Sequence, residues 1–351
     1  MKNFIKFIIF ISIVFILLII IGKLLIPRDK VNNGEGILYT MKGFYELEDN
    51  TIDVMFVGSS SVYRTISPMK LWEDYGITSY DYGIPSARIY MNYYFIKDVL
   101  RSQKPKVIFV DVTTAYYPVR EEEPARRKSF DYMEFSSVKM EMMNDDAFDY
   151  DLDFLDKVSI IFPALRYKER RTRPNIYYFT DNYHNISKGY VYDDRFKPSK
   201  NKFKYMQNRT KEYKMDEGNT EYMLKAINYC KENDIDIVLT AYPNAASWNI
   251  NASKSMEKFA EENGVKFLEL NTHLSGLDWD TDTGDEGVHT NILGANKTTK
   301  YVGEYIKNNY NFESHKDDKK YSIWNEDLIK YKKVEEKIIE KIKNEIKKER
   351  V

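Results

Sequence analysis

Two short polar segments of the sequence carry the side-chain types of a serine nucleophile system. Ser60 lies in a glycine-led turn, and Asp285 and His289 lie together in the segment DEGVH. A serine hydroxyl becomes an effective nucleophile when a histidine takes its proton, and the histidine works best when a carboxylate orients it. The chain order is Ser…Asp…His. These residue types therefore point to acyl transfer or ester hydrolysis.

The turn Gly58-Ser59-Ser60-Ser61 has other interpretations when it is taken alone. It is compatible with a simple turn or a helix N-cap, and serine-rich turns at helix starts also bind phosphate. The sequence lacks the G-x-G-x-x-G dinucleotide fingerprint and the G-x-S-x-G nucleophile elbow. The nucleophile interpretation therefore depends on a fold that brings the turn to the segment DEGVH.

Strand and helix patterns alternate around these segments. Short apolar runs predict strands at 52–57, 77–82, 106–112, 235–240 and 265–270. Helical spacing predicts helices at 68–75, 87–103, 219–232, 253–263 and 293–309. The alternation predicts an α/β fold, a three-layer sandwich with a mostly parallel sheet. Functional groups of such sheets gather at the carboxyl ends of the strands, where Ser60, Gly83, Thr113 and the loop with His289 follow predicted strands.

The N-terminus carries an uncharged apolar run from Phe7 to Gly22, which resumes after Lys23 and ends at Ile26. Twenty residues of helix span about 30 Å, the thickness of a bilayer core. The residues that follow offer no A-x-A cleavage site, so the pattern predicts an uncleaved transmembrane anchor over residues 1–27. Lysines and arginines flank both sides, and the positive-inside count alone does not orient the anchor.

The remaining chain divides by pattern into three parts. We expect a juxtamembrane linker at 28–50, an α/β domain at 51–312 with an insertion at about 116–213 where the alternation stops, and a charged helical tail at 313–351. An apolar stripe in the tail predicts a helix docked along that stripe: Tyr331, Val334, Ile338, Ile342, Ile346. Contact with a partner helix or a membrane surface is the alternative.

A basic cluster lies inside the predicted insertion and contains Arg166, Lys168, Arg170, Arg171 and Arg173. One interpretation is a solvated helix face that pairs with nearby acidic residues. The functional interpretation is a surface for an anionic polymer or for lipid headgroups. The four arginines are the candidate polymer-binding residues.

Composition excludes several classes of protein. The chain has 53 Lys+Arg and 54 Asp+Glu, and this balance argues against a protein that coats nucleic acid. The single cysteine, Cys230, excludes an intramolecular disulfide and a cysteine-rich zinc site. We predict no metal and no organic cofactor. His184 and His273 are expected to have structural or surface roles, because neither accompanies an acid at a strand end.

Three segments resemble the sequence blocks of the SGNH (GDSL-like) hydrolase superfamily. VGSSSVYRTISP is similar to the first block in its Gly-Ser-Ser form, which implies that Ser60 is the nucleophile. YDYGIPSA resembles the second block and implies an oxyanion glycine at Gly83, beside the N–H of Ser60. VHTNILGANKTTKYVGEYI resembles the C-terminal block, in which His289 is the base. The resemblance covers residues 50–115 and 235–310 and implies a flavodoxin-like arrangement.

The chain departs from this family pattern at two positions. The family's acid stands three residues before the histidine, where this chain has Glu286, and Asp285 stands four before. We expect Asp285 to be the acid, because Gly287-Val288 can accommodate one extra residue, with Glu286 as the alternative. The third block, DVTTAYY, lacks the family's asparagine, so Thr113 or a backbone group would complete the oxyanion hole.

The resemblance is to membrane-anchored, DltD-like and alginate-acetylation-type members of the superfamily. It implies a single-pass cell-membrane protein whose large domain is extracytoplasmic. The implied activity is transfer or removal of an acetyl or D-alanyl group on a teichoic acid, exopolysaccharide or other cell-envelope polysaccharide. Such proteins work beside a membrane-bound O-acyltransferase. The missing asparagine and the insertion favour an alternative, a non-catalytic polymer-binding or assembly subunit. A secreted-type esterase for small esters is a third possibility.

Overall fold

The computed structural model describes residues 2–27, 36–120, 123–180, 182–200, 202–207, 213–272 and 276–349. Five parallel strands form one sheet in the order β2-β1-β3-β4-β5. The strands are β1 (Val54–Gly58), β2 (Ser79–Gly83), β3 (Val107–Asp111), β4 (Asp236–Ala241) and β5 (Lys266–Glu269). The predicted α/β class with a mostly parallel sheet is confirmed, and each predicted strand lies within two residues of the observed one.

The helices extend from the N-terminus to the C-terminal tail. They are α1 (Lys2–Leu25), α2 (Ile37–Tyr45), α3 (Ser60–Thr65), α4 (Pro68–Tyr75), α5 (Ile89–Val99), α6 (Glu123–Tyr132), α7 (Ser137–Met143), α8 (Asp146–Asp149), α9 (Phe154–Ile161), α10 (Pro163–Arg166), α11 (Tyr177–Thr180), α12 (Glu217–Glu232), α13 (Ile250–Glu262), α14 (Ile292–Asn309) and α15 (Ser322–Glu349). Short 3₁₀ helices occupy Lys168–Thr172, Lys204–Met206 and Lys319–Tyr321.

Helices cover both faces of the sheet, because alternate strand side chains point to opposite sides. Met55 and Val57 of β1 belong to a core cluster with apolar residues of α5 and α12. Val54 and Phe56 belong to a second cluster with residues of α3, α4 and α14. All five residues of β1 are buried, as expected for a central parallel strand. The result is the predicted three-layer arrangement.

Local sequence signals set the ends of several helices. Helix α4 begins as predicted, because the Ser67 side chain accepts a hydrogen bond from the N–H of Lys70 and Pro68 occupies the first position. Gly76 follows the helix with φ +69°, the left-handed conformation that glycine adopts without strain. Helix α3 has no counterpart among the predicted elements, because six residues are too few to show helical periodicity.

Helix α1 is long and apolar enough to cross a membrane, with a mean hydropathy of 3.3 over its most apolar window. At the end of the helix and directly after it, Gly22, Leu25 and Ile26 are buried, and Lys23 and Leu24 are half-buried. The rings of Phe15 and Phe162 lie 5.2 Å apart, and the N–H of Asn175 donates to the Leu24 carbonyl at 2.5 Å. The apolar helix is therefore packed on the α/β domain along its C-terminal part.

The described part of the predicted insertion contains short helices, α6 to α11, followed by a segment at 182–200 that has a turn at 186–189. This segment lies against the sheet. The N–H of Asp81 in the edge strand β2 donates to the Lys188 carbonyl at 3.0 Å, and the N–H of Val191 donates to the Tyr63 carbonyl at 2.8 Å. The segment thus covers the sheet edge and contacts the helix that follows β1.

Helix α15 docks on the domain along the predicted stripe. Tyr331, Ile338 and Ile342 are buried, and the Tyr331 hydroxyl lies 2.7 Å from the Ser67 hydroxyl at the start of α4. Val334 and Ile346 pack partly buried beside the same core. The stripe is therefore occupied by this chain, in agreement with a docked helix.

A buried ion pair joins α15 to the 182–200 segment. The Asp327 carboxylate is fully buried and lies 2.5 Å from Lys188 Nζ and 2.7 Å from His184 Nε2. Burial alone would raise the pKa of Asp327, but His184 and Lys188 hold that pKa below its usual value. Because the pKa is lower in the folded chain, this stabilisation is complete above about pH 4 and is lost as the pH falls through the folded pKa.

We expect Asp327→Asn to lower the free energy of unfolding by about 3 kcal/mol, because it leaves the buried Lys188 without a carboxylate. Urea unfolding of the full chain in detergent measures this change. Lys330→Met is the control, since its ammonium is 54 % exposed and 3.8 Å from the same carboxylate. The control is expected to change stability by less than about 0.5 kcal/mol. Equal effects of the two substitutions would contradict the prediction.

Candidate active site

The candidate site lies at the carboxyl ends of the central strands. Ser60 follows β1, and Thr113 follows the adjacent strand β3. In the strand order 2-1-3-4-5, β2 lies on one side of β1 and β3 lies on the other. The strand order therefore reverses at the boundary between β1 and β3, and ligands of open α/β sheets bind at such a switch point.

A buried carboxylate shapes the turn that presents Ser60. Asp111 at the end of β3 accepts hydrogen bonds from the N–H and hydroxyl of Ser59, at 3.1 and 2.5 Å, and from the N–H of Thr113 at 2.8 Å. Burial raises the pKa of Asp111, and these hydrogen bonds oppose that effect. A Cβ on Gly58 would lie 2.2 Å from the Asp111 Cβ, so the close approach requires glycine.

Ser60, His289 and Asp285 form one chain of hydrogen bonds. Nε2 of His289 lies 2.8 Å from the Ser60 hydroxyl, and Nδ1 lies 2.7 Å from Oδ2 of Asp285. The imidazole is 19 % and the carboxylate 21 % exposed, so the base is reachable from solvent. With Nδ1–H donating to Asp285, Nε2 is free to accept the serine proton. The structure thus brings together the three residues that the sequence predicted.

The loop conformation selects Asp285 over Glu286 as the partner of the imidazole. Asp285 also accepts the backbone N–H of His289 at 2.8 Å, while Glu286 is half exposed and pairs with Lys197 at 3.2 Å. Glu286 and Gly287 both have positive φ, 63° and 95°, and this bend accommodates the extra residue between acid and base. A Cβ on Gly287 would lie 2.9 Å from the Ala245 Cβ, so a larger residue is excluded there.

An arginine that the sequence analysis missed holds the acid from its other side. Arg195 donates to Oδ2 of Asp285 at 3.2 Å and forms a two-point pair with Asp193 through Nε and Nη2. Burial raises the pKa of Asp285, but the bonds from His289 and the charge of Arg195 outweigh it and hold the pKa below its usual value. The carboxylate therefore stays ionised beside the imidazole.

Backbone hydrogen bonds join the segment with Arg195 to the loop that carries Asp285 and His289. Lys197 donates its N–H to the Thr283 carbonyl at 3.0 Å, and the N–H of Glu286 donates to the Lys197 carbonyl at 3.1 Å. The N–H of Ile292, at the start of α14, donates to the Asp193 carbonyl at 3.1 Å. The part of the chain predicted to be an insertion thus supports the loop that carries acid and base. A polar stretch without periodicity gave no signal of this role.

The two residues predicted to join Ser60 in the oxyanion hole lie beside it in different settings. Gly83 is buried at the end of β2, in register with Gly58, and a Cβ there would lie 2.9 Å from the Gly58 carbonyl oxygen. The Thr113 hydroxyl lines the cavity but donates to Oδ1 of Asp111 at 2.5 Å. In this geometry the Thr113 hydroxyl proton is directed at Asp111.

A cavity of about 460 Å³ opens over Ser60 and His289. The sequence analysis missed three of its lining residues, Arg88, Tyr117 and Asn244. The Arg88 guanidinium stacks over the Tyr117 ring at 5.0 Å. Oδ1 of Asn244 accepts the N–H groups of the next turn at 3.0 and 2.9 Å, which fixes the amide at the cavity wall. These side chains give the cavity a cation, an aromatic face and an amide.

The other candidate residues lie elsewhere. Arg166 ends α10, Arg170 and Arg171 lie in the 3₁₀ helix that follows, and Arg173 comes directly after it. This stretch packs beside α1, while the described lining of the Ser60 cavity comes from other segments. His184 bonds Asp327, and His273 lies outside the described residues.

Comparison with known proteins gives matches among solved structures. No protein-family model and no curated protein matches the sequence. The matching structures include a protein assigned to the lipolytic G-D-S-L family from Desulfitobacterium hafniense, with 13 % identity, a TM-score of 0.37, and coverage of 72 % of this chain and 97 % of that chain. A protein assigned as an acylhydrolase from Bacteroides fragilis has 12 % identity, a TM-score of 0.38, and coverage of 80 % and 99 %.

A third match is an active-site mutant of a family two carbohydrate esterase from Clostridium thermocellum. It has 10 % identity and a TM-score of 0.34, and the match covers 75 % of this chain and 65 % of that chain. At these identities the likeness concerns the α/β fold, and the chemistry of this chain has to come from its own residues.

Proposed function

We propose that this chain is a membrane-anchored serine acyltransferase or esterase that acts on acyl groups of a cell-envelope polysaccharide. The observation that carries the proposal is the hydrogen-bonded chain from the Ser60 hydroxyl through His289 to Asp285, at 2.8 and 2.7 Å. Three parts of the fold that are distant in sequence supply these groups and their support, namely α3, the loop before α14 and the segment with Arg195. Such convergence on one cavity is typical of a serine nucleophile site.

In the first half-reaction, the Ser60 hydroxyl oxygen attacks the acyl carbonyl while Nε2 of His289 takes its proton. Asp285 stabilises the imidazolium that forms and keeps the ring oriented. When the tetrahedral intermediate collapses, the imidazolium gives its proton to the departing alcohol, and the acyl group remains on Ser60. In the second half-reaction, His289 removes a proton from a sugar or polyol hydroxyl, or from water, and that oxygen attacks the acyl carbonyl. The bond between the acyl carbon and the Ser60 oxygen then breaks, and the imidazolium returns its proton to Ser60.

Backbone groups are the proposed donors to the oxyanion. The N–H of Ser60 opens α3, where the first N–H groups of a helix have no acceptor within the helix. Gly83 is the proposed second donor, since it lies beside the Ser60 turn. The side-chain role proposed for Thr113 would require its hydroxyl to turn away from Asp111. The amide of Asn244, fixed at the cavity wall, offers a side-chain donor in its place.

The proposed location is the outer side of the cell membrane, with α1 as an uncleaved anchor. An anchor suits an enzyme whose polymer substrate is itself held at the membrane. A membrane-bound O-acyltransferase is the proposed partner that delivers the acyl group, and no cofactor is required for the chemistry described. The length and composition of α1 support the anchor.

A non-catalytic polymer-binding or assembly subunit is the second candidate. One observation favours this candidate. The third block lacks the family's asparagine, and the Thr113 hydroxyl in that block donates to Asp111 instead. The two candidates differ in one measurement, the reaction of Ser60 with a fluorophosphonate probe. A folded chain that does not react belongs to the second class, whereas a small-ester esterase reacts but leaves envelope acylation unchanged when the gene is deleted.

We expect wild-type protein to bind a fluorophosphonate covalently and to hydrolyse p-nitrophenyl acetate, and Ser60→Ala to lose both. The physical reason is that the Ser60 hydroxyl lies 2.8 Å from Nε2 of His289, the group that takes its proton. Ser61→Ala is the matched control, because the adjacent hydroxyl lies 3.4 Å from Thr113 instead. Labelling measured by mass spectrometry that persists in Ser60→Ala would contradict the assignment.

The neighbouring acids give a second prediction. Asp285→Asn is expected to slow fluorophosphonate labelling by about two to four orders of magnitude, because an amide no longer holds the imidazole in the proton-accepting tautomer. Glu286→Gln is the control and is expected to label at nearly the wild-type rate, since its carboxylate pairs with Lys197. The reverse order of the two rates would assign the acid to Glu286.

Arg195→Met is expected to raise the pKa of the Asp285 carboxyl, which carbon-13 NMR titration of its carboxyl carbon measures. Arg195 is one of the groups that lower the pKa of Asp285, so without it the carboxyl is protonated at a higher pH. Lys197→Met is the control, because that ammonium is 61 % exposed and pairs with Glu286. An unchanged Asp285 titration in Arg195→Met would show that the arginine does not act on this carboxyl.

A further inference from the structure

Exposed apolar side chains outside α1 concentrate in one part of the chain. Among the described residues beyond α1, the large hydrophobic side chains that are at least half exposed are Phe135 (74 %), Phe154 (78 %), Leu155 (69 %), Ile176 (55 %), Phe179 (50 %) and Ile329 (61 %). All except Ile329 lie between residues 135 and 179, in the part of the chain that contacts α1. We call the surface formed by residues 154–179 the α9–α11 face.

Contacts fix the position of the α9–α11 face along α1. The Phe162 ring packs edge-on against Phe15, and Asn175 bonds the Leu24 carbonyl. A Cβ on Gly22 would lie 3.1 Å from the side chain of Pro163, so α10 lies directly against this turn of α1. The face therefore runs beside α1 from its middle to its C-terminal end.

This position leaves too little of α1 to cross a membrane alone. A bilayer core is about 30 Å thick, and the stretch from Phe4 to Phe15 is about 18 Å long at 1.5 Å per residue. If α10 stayed wholly in water, the part of α1 beyond Phe15 would stay in water with it. The helix can span the core only if the residues packed beside its C-terminal half enter the same lipid leaflet.

A cluster of positive charge adjoins the exposed apolar side chains. Between residues 166 and 173 the sequence is RYKERRTR, with five basic residues and one acidic residue. Arg166, Arg171 and Arg173 are exposed. Apolar side chains next to basic ones are typical of segments that lie in the boundary between lipid headgroups and acyl chains.

We propose that the α9–α11 face is a membrane-binding surface that enters the leaflet beside α1 and contacts anionic headgroups through the basic cluster. The inference rests on the proposed anchoring role of α1. It assigns to lipid three of the four arginines named as polymer-binding candidates. Phe154, Leu155 and Phe179 contact acyl chains, and Arg166, Arg171 and Arg173 contact phosphate groups.

Site-specific fluorescence in the full chain tests the proposal. Leu155→Cys and Phe179→Cys are each labelled with a polarity-sensitive probe, using the native chain as background because Cys230 is fully buried. The chains are reconstituted in phosphatidylcholine vesicles with roughly one phosphatidylglycerol in four lipids. Lys258→Cys on α13 is the control, because its side chain is 76 % exposed in another part of the fold.

We expect a blue shift at positions 155 and 179 and loss of fluorescence with lipids brominated on their acyl chains, and neither change at position 258. Equal responses at all three positions would overturn the proposal. A response to soluble polyphosphate without a response to brominated lipid would overturn it in favour of a polymer surface. Protection only after a membrane protein partner is added would overturn it in favour of a protein interface.

A charge variant tests the headgroup contact separately. The triple change Arg166→Gln, Arg171→Gln and Arg173→Gln is expected to reduce quenching at position 155 in anionic vesicles more than in pure phosphatidylcholine. Equal quenching in both lipids would overturn the role of the cluster. Alkaline carbonate washing of the vesicles tests the anchor itself. Release of the chain would refute the anchoring role of α1, while retention without quenching would refute only the membrane contact of the α9–α11 face.

Discussion

The buried carboxylate of Asp193 joins the parts of the site that the sheet alone leaves apart. It is fully buried and pairs with Arg195 and, at 3.6 Å, with Arg64, which lies in α3 four residues after Ser60. Arg195 in turn reaches Asp285. One network of ion pairs therefore connects α3, which begins at Ser60, with Asp285. The network helps to set the distance between the Ser60 turn and the loop that carries His289. Because the Asp193 carboxylate is fully buried while Arg195 is about half exposed, loss of the arginine partners would leave an uncompensated buried charge at Asp193.

The sequence predicted the sheet because buried parallel strands are nearly continuous apolar runs between turns. It also predicted Ser60 and His289, since both lie in short polar segments at strand ends. Arg195 could not be predicted in the same way. Its segment has no periodic pattern, and its hydrogen bonds depend on residues about 90 positions later in the chain, the separation of Arg195 and Asp285.

The choice between Asp285 and Glu286 shows a second limit of the sequence. The family spacing between the acid and the histidine favoured Glu286. The expectation that Gly287-Val288 can accommodate one extra residue favoured Asp285. The geometry depends on the positive φ at both Glu286 and Gly287. The backbone of Lys197, from another segment, supports this bend, because its carbonyl accepts the N–H of Glu286 and its N–H donates to the Thr283 carbonyl. Backbone conformation in such a loop is set by tertiary contacts, so a local pattern carries little information about it.

The part of the chain between β3 and α12 links two functions that the α/β core does not provide. Its middle part, residues 162–175, packs on α1, and residues 193–199 support the loop that carries Asp285 and His289. Asp327 of α15 holds the intervening stretch through Lys188 and His184. The described parts of this stretch thus lie between the contacts of α1 and the residues that support Asp285 and His289. The proposed substrate, tethered to the membrane that α1 is proposed to cross, would require such a connection between Ser60 and the apolar helix.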